Sequence, residues 1–139
     1  MILARSGFPT ISLLKPAKLT EEEWMEIRKH PEIGHSIISK IDFLAGAAEM
    51  VLQHHERFDG TGYPQKLKGS QILLPARIFA LVDTFDAMTS DRPYRKALTY
   101  QDARNEISRC CGTQFDPEIV KCFLNIPEQV WIDIKAQVK

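Results

Sequence analysis

The spacing of apolar residues along the chain predicts helices, because strand-type alternation of apolar and polar positions is scarce. Thr20 and the acids at 21–23 form a capping box at the start of one helix. That helix should end near His30, since a proline disfavours helical geometry in the residue before it. Pro31 then opens a second helix. Its buried face should consist of four isoleucines at helical spacing: Ile33, Ile37, Ile38 and Ile41.

The rest of the chain repeats this pattern of helices bounded by caps and prolines. A third helix is predicted from about Leu44 to Glu56, and a long one from Pro75 to about Thr89. The segment between them, 57–72, is a loop rich in glycine and lysine. Further helices should begin at three cap or proline signals: Thr99 with Asp102, Asp116 with Pro117, and Pro127. The whole pattern predicts an all-α protein.

Length and composition narrow the class of protein. A chain of 139 residues is enough for one compact domain, so we expect residues 1–139 to form a single domain. Its 18 basic residues balance 18 acidic ones, which gives no overall preference for DNA or for an acidic membrane surface. No apolar stretch reaches membrane length, so membrane insertion is not expected. The three cysteines lack a zinc-type pair and indicate buried thiols in a cytoplasmic protein.

Histidines supply the first candidate chemistry. His54 and His55 lie near the end of an apolar helix, and adjacent helical residues point about 100° apart. The two imidazoles therefore should not bind one ion easily, but each could serve one ion of a cluster. For an isolated pair we favour the alternative, in which one histidine is buried and the other lies at the surface. His30 stands beside a proline at a helix end, where a histidine most often interacts with the last carbonyl groups, and His35 should lie at the surface.

Two aspartates stand out in the long helix. Asp83 lies in an otherwise apolar segment and should be largely buried, which is costly unless the carboxylate is paired or bound to a metal. A helix cap or a salt bridge to an arginine would explain an aspartate at position 83 equally well. Asp86, one turn further on and nearer the helix end, fits such a structural role better.

Two loops carry features of a ligand site. The segment 59–64 offers two glycines, which can adopt positive φ and let the backbone approach a ligand closely. The alternative is that this segment is a simple tight turn without a ligand. The segment 91–96 places Arg92, Arg95 and Lys96 directly after the Asp83 helix, and a planar guanidinium suits phosphate. A solvated basic turn is the usual alternative.

Taken together, these segments resemble one family. HPEIG at 30–34, HHERFDGTGYP at 54–64 and DTFDAMTSDRPYRKA at 83–97 occur in the order and spacing of the HD-GYP output domains of bacterial signalling. The resemblance implies the helical bundle of the HD superfamily, of which this chain would be the C-terminal part. It also implies several bound divalent metal ions, often iron or manganese and possibly zinc, and hydrolysis of cyclic di-GMP.

The resemblance also implies a metal-ligand set. By position, His30, His54, His55 and Asp83 match metal ligands of the family. Imidazole and carboxylate ligands suit iron, manganese or zinc better than soft metals.

A second set of residues matches substrate-binding positions. Arg92 and Arg95 match basic residues that hold substrate phosphates. Gly62, Tyr63 and Pro64 form the loop that names the family, and the resemblance implies roles for it in substrate access and in contact with diguanylate cyclase (GGDEF) partners.

The first residues of the chain depart from the family pattern. Aligning Pro9 and the Lys-Pro pair at 15–16 places Met1 and Ile2 where the His-Asp dyad belongs, and Arg5 where a lysine stands. Methionine and isoleucine are not hard ligands, so we predict little or no phosphodiesterase activity for this chain. The alternative is a non-catalytic signalling module that uses the GYP loop to bind a partner or a dinucleotide.

The same departure predicts self-association. The two helices that usually precede the dyad are absent from this sequence, and an apolar surface left without its partner tends to find another one. We therefore expect a homodimer or a complex with the missing segment.

Overall fold

The computed structural model describes residues 20–92 and 95–137, and within these ranges it contains helices and no strand. The helices are α1 (Glu21–Arg28), α2 (His30–Ile38), α3 (Ala45–Gln53), α4 (Leu74–Thr89), α5 (Tyr100–Arg109), α6 (Pro117–Leu124) and α7 (Glu128–Gln137). Short 3₁₀ turns lie at Asp42–Leu44 and Gly69–Gln71. The all-α prediction is confirmed. The predictions that concern Met1, Ile2 and Arg5 lie outside the described residues.

The predicted caps form as the sequence indicates. Thr20 Oγ1 accepts the Glu23 amide at 3.2 Å, and the Glu23 carboxylate accepts the Thr20 amide at 2.8 Å. The side chains of Thr99 and Asp116 accept amides of the first turns of α5 and α6, at 3.1 and 2.9 Å. These bonds satisfy amide groups that have no partner within their helices, which fixes where the helices begin.

The main core lies where α4, α5 and α6 meet. Its buried members are Leu81, Phe85, Met88, Ala103, Ile107, Phe115, Val120 and Phe123. Trp131 of α7 packs onto this cluster, with its ring centroid 4.8 Å from that of Phe85. One side of α4 is therefore fixed in the core, and α3 packs against the same helix.

Buried polar contacts fix the chain around the start of α4. Arg77 forms an ion pair with the buried Asp116 and also donates from Nε to the Ile72 carbonyl at 2.9 Å. The side-chain oxygen of buried Gln53 accepts the Leu73 amide at 2.9 Å. The end of α3 is thereby held at a defined distance from α4.

The predicted buried face of α2 is wrong. Ile33, Ile37 and Ile41 are 40%, 46% and 39% exposed, whereas Pro31 and Gly34 are the buried residues of this helix. Helix α2 packs on α3 through its smaller residues, which leaves the isoleucine stripe facing outward among the described residues. His35 is half-buried rather than free at the surface, and its Nε2 lies 3.1 Å from Glu49 on α3.

In the part of the chain that the structure describes, none of the helices has the length and apolar character needed to cross a membrane.

Candidate metal centre

Three imidazoles converge between α2 and α3. His30 is the first residue of α2, His54 is the C-cap of α3, and His55 follows directly. Each offers a ring nitrogen, and the three nitrogens lie within 4.8 Å of one another. Side chains from positions 30, 54 and 55 thus meet at one point, as the family resemblance implies.

Backbone carbonyls orient two of these rings. His30 Nδ1 lies 2.6 Å from the Ile27 carbonyl oxygen, and His54 Nδ1 lies 2.6 Å from that of Val51. Because a carbonyl oxygen only accepts, Nδ1 carries the proton in both rings and Nε2 presents its lone pair to the centre. Such a second hydrogen bond is the usual means of fixing the tautomer of a metal-binding histidine.

One ring nitrogen of the cluster points to a missing ligand. His54 Nε2 is buried and has no hydrogen-bond partner within the described residues. Leaving a buried polar atom unsatisfied costs about 1–3 kcal/mol. His30 Nε2 accepts a hydrogen bond from His55 Nε2 at 2.8 Å, so His55 must move its proton to Nδ1 before its own Nε2 can bind a cation. A divalent cation among these nitrogens would satisfy their lone pairs together, so the donor set fits a metal ion.

Two rings of the cluster, those of His54 and His55, are held in the uncharged form that binds metals. Burial, followed by the neighbouring His54 and His30, lowers the pKa of His55 to about 3. Burial likewise lowers the pKa of His54, against the opposing effects of the Val51 carbonyl and Asp83. Neutral imidazole is the ligand form, so these rings need no deprotonation at neutral pH to receive a cation.

The expectation that adjacent histidines point apart is wrong for this pair. Helix α3 ends at Gln53, so the 100° rotation between helical neighbours does not apply to His54 and His55. Their ring centroids lie only 4.0 Å apart. The end of the helix is what lets two consecutive side chains reach the same point.

Asp83 lies beside the cluster on α4, outside the group of three histidines whose ring nitrogens lie within 4.8 Å of one another. It lines a cavity together with His54 and His55, and its charge favours protonation of His54. The residue is half-buried rather than largely buried, because this cavity opens beside its carboxylate. Asp86, by contrast, is exposed and accepts a hydrogen bond from Ser90 at 3.2 Å, which is a structural role.

The loop that contains Gly62, Tyr63 and Pro64 covers one side of the histidine cluster. A Cβ at position 62 would lie 2.3 Å from the Arg57 nitrogen and 2.5 Å from the Glu56 Cα, so only glycine permits this approach. Tyr63 then stacks on His55 with ring centroids 5.0 Å apart and an interplanar angle of 19°. The loop therefore sets the position of the His55 ring.

Glu56 anchors this loop, a role that the sequence patterns did not indicate. Its buried carboxylate accepts the amides of Gln65 at 2.6 Å and Leu67 at 3.1 Å. An acid directly after two histidines was the available signal, but its partners are backbone groups, which the sequence does not single out.

The two predicted phosphate-binding arginines lie elsewhere. Arg92 and Arg95 are exposed and bridge each other through their backbones. Arg95 Nη2 donates to the Ala87 carbonyl at the end of α4 at 2.6 Å. Of the described residues, Arg57 lines the cavity, whereas Arg92 and Arg95 do not.

The match to a known family decides the identification. The HD domain family matches residues 5–119. The chain belongs to the HD domain family. Phosphohydrolases of this family are metal-dependent. The interpretation as an HD-GYP-type HD domain is confirmed by this match and by the relatives.

The curated relatives of this HD domain are phosphodiesterases. The chain is 40% identical to a cyclic di-GMP phosphodiesterase of Vibrio cholerae, over 99% of its own length and 29% of the relative's. It is 39% identical to a cyclic di-GMP phosphodiesterase of Thermotoga maritima, over 92% of its length and 35% of the relative's. A 3′3′-cGAMP-specific phosphodiesterase of V. cholerae is 36% identical over 88% and 24% of the two chains.

A solved structure confirms the fold of this HD domain. The crystal structure of a cyclic GMP-AMP-specific phosphodiesterase of V. cholerae superposes with a TM-score of 0.61 at 24% identity. The match covers 78% of this chain and 26% of that one. The chain spans about a third of the length of the curated relatives it matches.

Proposed function

We propose that this HD domain is a metal-dependent phosphodiesterase domain that acts on cyclic di-GMP in bacterial signalling. The observation that carries the proposal is the convergence of three ring nitrogens within 4.8 Å, one of them buried and unsatisfied. The choice of cyclic di-GMP follows the relatives with the higher identities, which are named for that substrate.

We propose His30, His54, His55 and Asp83 as the residues that hold the cation. Iron or manganese fits a site of imidazole and carboxylate, and zinc is a further choice. When bound, such an ion acts as a Lewis acid toward a phosphate oxygen and makes water a better nucleophile at neutral pH.

The protein's own contribution is to hold these groups in place. The carbonyls of Ile27 and Val51 keep the protons of His30 and His54 away from the centre. Tyr63 covers one face of His55, which limits the access of water to that ring. The site is therefore preorganised, and its side chains need little reorganisation during the reaction.

Metal analysis combined with cyclic di-GMP binding tests the proposal. Protein loaded with Mn²⁺ should retain the ion through gel filtration and bind cyclic di-GMP, and a chelator should abolish both. Asp83→Asn should weaken Mn²⁺ binding by at least about tenfold, since replacing even a residue that only supports a ligand typically costs about 10–100-fold. Asp86→Asn on the same helix is the matched control and should leave metal binding unchanged.

Two outcomes would count against the proposed function. Retention of no metal would remove the centre, and unaltered cyclic di-GMP binding in the chelated protein would separate the dinucleotide from it. Turnover to the linear dinucleotide or to GMP is measured in the same samples. Little or no phosphodiesterase activity of this chain stays a prediction, since it depends on Met1 and Ile2, which lie outside the described residues.

The remaining site residues also stay proposals. We propose that Arg92 and Arg95, which follow the end of α4, contact outer phosphates of the dinucleotide. Their exposure leaves their side chains accessible to a ligand. We also keep the predictions that residues 1–139 form a single domain and that the protein acts in the cytoplasm.

A second candidate function is partner binding through the GYP loop. Thr61, Gln65 and Lys66 are exposed on either side of the inward-facing Gly62, so the outer surface of the loop is accessible. A diguanylate cyclase (GGDEF) domain is the proposed partner. In a pull-down with such a domain, Lys66→Glu should reduce binding without loss of bound Mn²⁺; equal binding by both forms would contradict this candidate.

A further inference from the structure

The cavity beside the histidine cluster contains a fixed positive charge that is not part of the proposed metal site. The residues that line it are His54, His55, Glu56, Arg57, Tyr63, Ala80, Asp83, Thr84 and Gln114. Among these, Arg57 is the side chain that carries a guanidinium, a permanent cation. It shares the cavity with three of the proposed metal ligands, His54, His55 and Asp83, and follows His55 by two positions.

Neighbouring groups hold the Arg57 guanidinium in one orientation. Its Nε donates to Thr61 Oγ1 at 3.0 Å, and Nη1 donates to the side-chain oxygen of Gln114 at 3.2 Å. The segment around Gln114 is itself fixed, because its carbonyl accepts the Phe58 amide at 3.2 Å. A guanidinium held in this way loses little further rotational freedom when it binds a ligand.

The charge of Arg57 is only partly balanced. Asp59 Oδ2 forms an ion pair with Nη2 at 3.6 Å, which is longer than a normal hydrogen bond. The other oxygen of that carboxylate, Oδ1, accepts hydrogen bonds from the Thr61 amide and hydroxyl at 2.9 and 2.6 Å. Arg57 has five N–H groups, and the two hydrogen bonds described above use two of them. Its side chain is 37% exposed and lines the cavity.

We infer that Arg57 contacts a phosphate of the substrate in this cavity, with Gln114 and Thr61 as its positioning residues. The inference rests on the proposed function, since it places the substrate beside the metal centre. A phosphodiester in this cavity would lie beside the guanidinium, and a planar guanidinium can donate two hydrogen bonds to phosphate at once. Arg57 is distinct from Arg92 and Arg95, which do not line this cavity.

Equilibrium binding of cyclic di-GMP to Mn²⁺-loaded protein tests the inference. Arg57→Met should weaken binding at least tenfold, with an unchanged Mn²⁺ content. Arg57→Lys should fall between wild type and Arg57→Met, because an ammonium keeps the charge but loses the two-point geometry. Gln114→Leu should weaken binding less than Arg57→Met, since it removes a support of the guanidinium and not the contact itself.

The salt dependence of cyclic di-GMP binding distinguishes a phosphate contact by Arg57 from a purely structural role, because a structural role would not change it. Loss of one phosphate contact should make the dinucleotide affinity of Arg57→Met less sensitive to added salt than that of wild type. Arg109→Met is the matched control. Arg109 is 72% exposed on α5 and pairs with Glu106 away from the cavity, so its replacement should leave affinity and salt dependence unchanged.

The outcomes separate this inference from the proposed function. If wild type binds cyclic di-GMP and both Arg57 variants bind it within twofold of wild type, the inference is wrong and the proposed function stands. If metal-loaded wild type does not bind cyclic di-GMP, both are wrong. If Arg57→Met loses its bound Mn²⁺, Arg57→Lys becomes the deciding variant, because it keeps the positive charge. A cyclic di-GMP affinity of Arg57→Lys equal to that of wild type would then overturn the two-point contact.

Discussion

The proton on each histidine ring determines what the centre can bind. His30 and His54 donate from Nδ1 to backbone carbonyls of the preceding turns, so their Nε2 atoms face the centre as acceptors. His55 differs, because its ring is held by stacking on Tyr63 and by contact with the other two imidazoles. The buried, unsatisfied Nε2 of His54 is destabilising by itself, and a cation would relieve that cost.

This arrangement predicts a pH dependence of stability for the metal-free protein. The pKa of His55 is about 3 in the folded state and about 6.5 in an unfolded chain. Between these values the unfolded state binds more protons, so the free energy of unfolding rises with pH and falls as the solution is acidified. The slope should approach about 1.4 kcal/mol per pH unit for this one group.

Urea denaturation in the presence of a chelator, from pH 7 to pH 5, measures this slope. His55→Asn removes the titrating group, so its stability should change less with pH than that of wild type. Carboxylates titrate in both proteins and cancel in the comparison. Parallel curves for the two proteins would contradict the assignment of the slope to His55.

At the level of elements, the GYP loop acts as a support for the histidine pair. Gly62 passes close to the backbone at Glu56 and Arg57, and the Glu56 carboxylate fixes the far side of the loop through the amides of Gln65 and Leu67. These contacts explain why the loop keeps its shape without belonging to a helix. They also couple the loop to the position of the His55 ring through Tyr63.

Gly62→Ala should therefore disrupt the loop and the metal centre together. Its Cβ would lie 2.3 Å from the Arg57 nitrogen, so the backbone must shift, at a cost of about 1–3 kcal/mol for overpacking. We expect a lower free energy of unfolding and weaker Mn²⁺ binding, measured by denaturation and by calorimetry.

Gly46→Ala is the matched control for this substitution. Gly46 lies in α3, where an added Cβ meets nothing within 4 Å. Alanine should stabilise the helix by roughly 0.5–1 kcal/mol and leave metal binding unchanged. Equal effects of the two substitutions would show that the close approach at Gly62 does not matter.

At the scale of the whole molecule, the described residues leave two apolar stripes exposed. One lies along α2 and continues to Phe43, which is 87% exposed. The other follows Leu74, Ile78 and Val82 at helical spacing on α4, each at least 39% exposed. Exposed apolar areas of this kind are typical of surfaces that bind another protein.

We predict that a second copy of the chain covers the stripe that ends at Phe43. Sedimentation at micromolar concentrations should show a homodimer, and Phe43→Ser should weaken self-association by about tenfold or more, since a buried aromatic anchor often contributes 2 kcal/mol or more. Ile134→Ser, which changes an exposed residue of α7, should leave association unchanged. A wild-type monomer at these concentrations would contradict the prediction.

The sequence by itself determined the helices and several of their beginnings, whereas the end of α3 at Gln53 lies three residues before the predicted Glu56. Capping residues such as Thr20, Thr99 and Asp116 act on amides within a few positions, and prolines act on their immediate neighbours, so these signals are readable locally. The order and spacing of the motifs also indicated the family, and with it the ligand-type residues His30, His54, His55 and Asp83.

The tertiary structure decided which of these residues meet and which faces are buried. The isoleucine stripe of α2 looks like a core face by periodicity, but α2 packs through Pro31 and Gly34, because packing depends on the partner surface and not on one helix alone. The convergence of His30 with His55, and the approach of Arg57 to Gln114 across 57 positions of the chain, depend on contacts between distant segments. Such contacts are set by the assembled fold, which local sequence patterns do not encode.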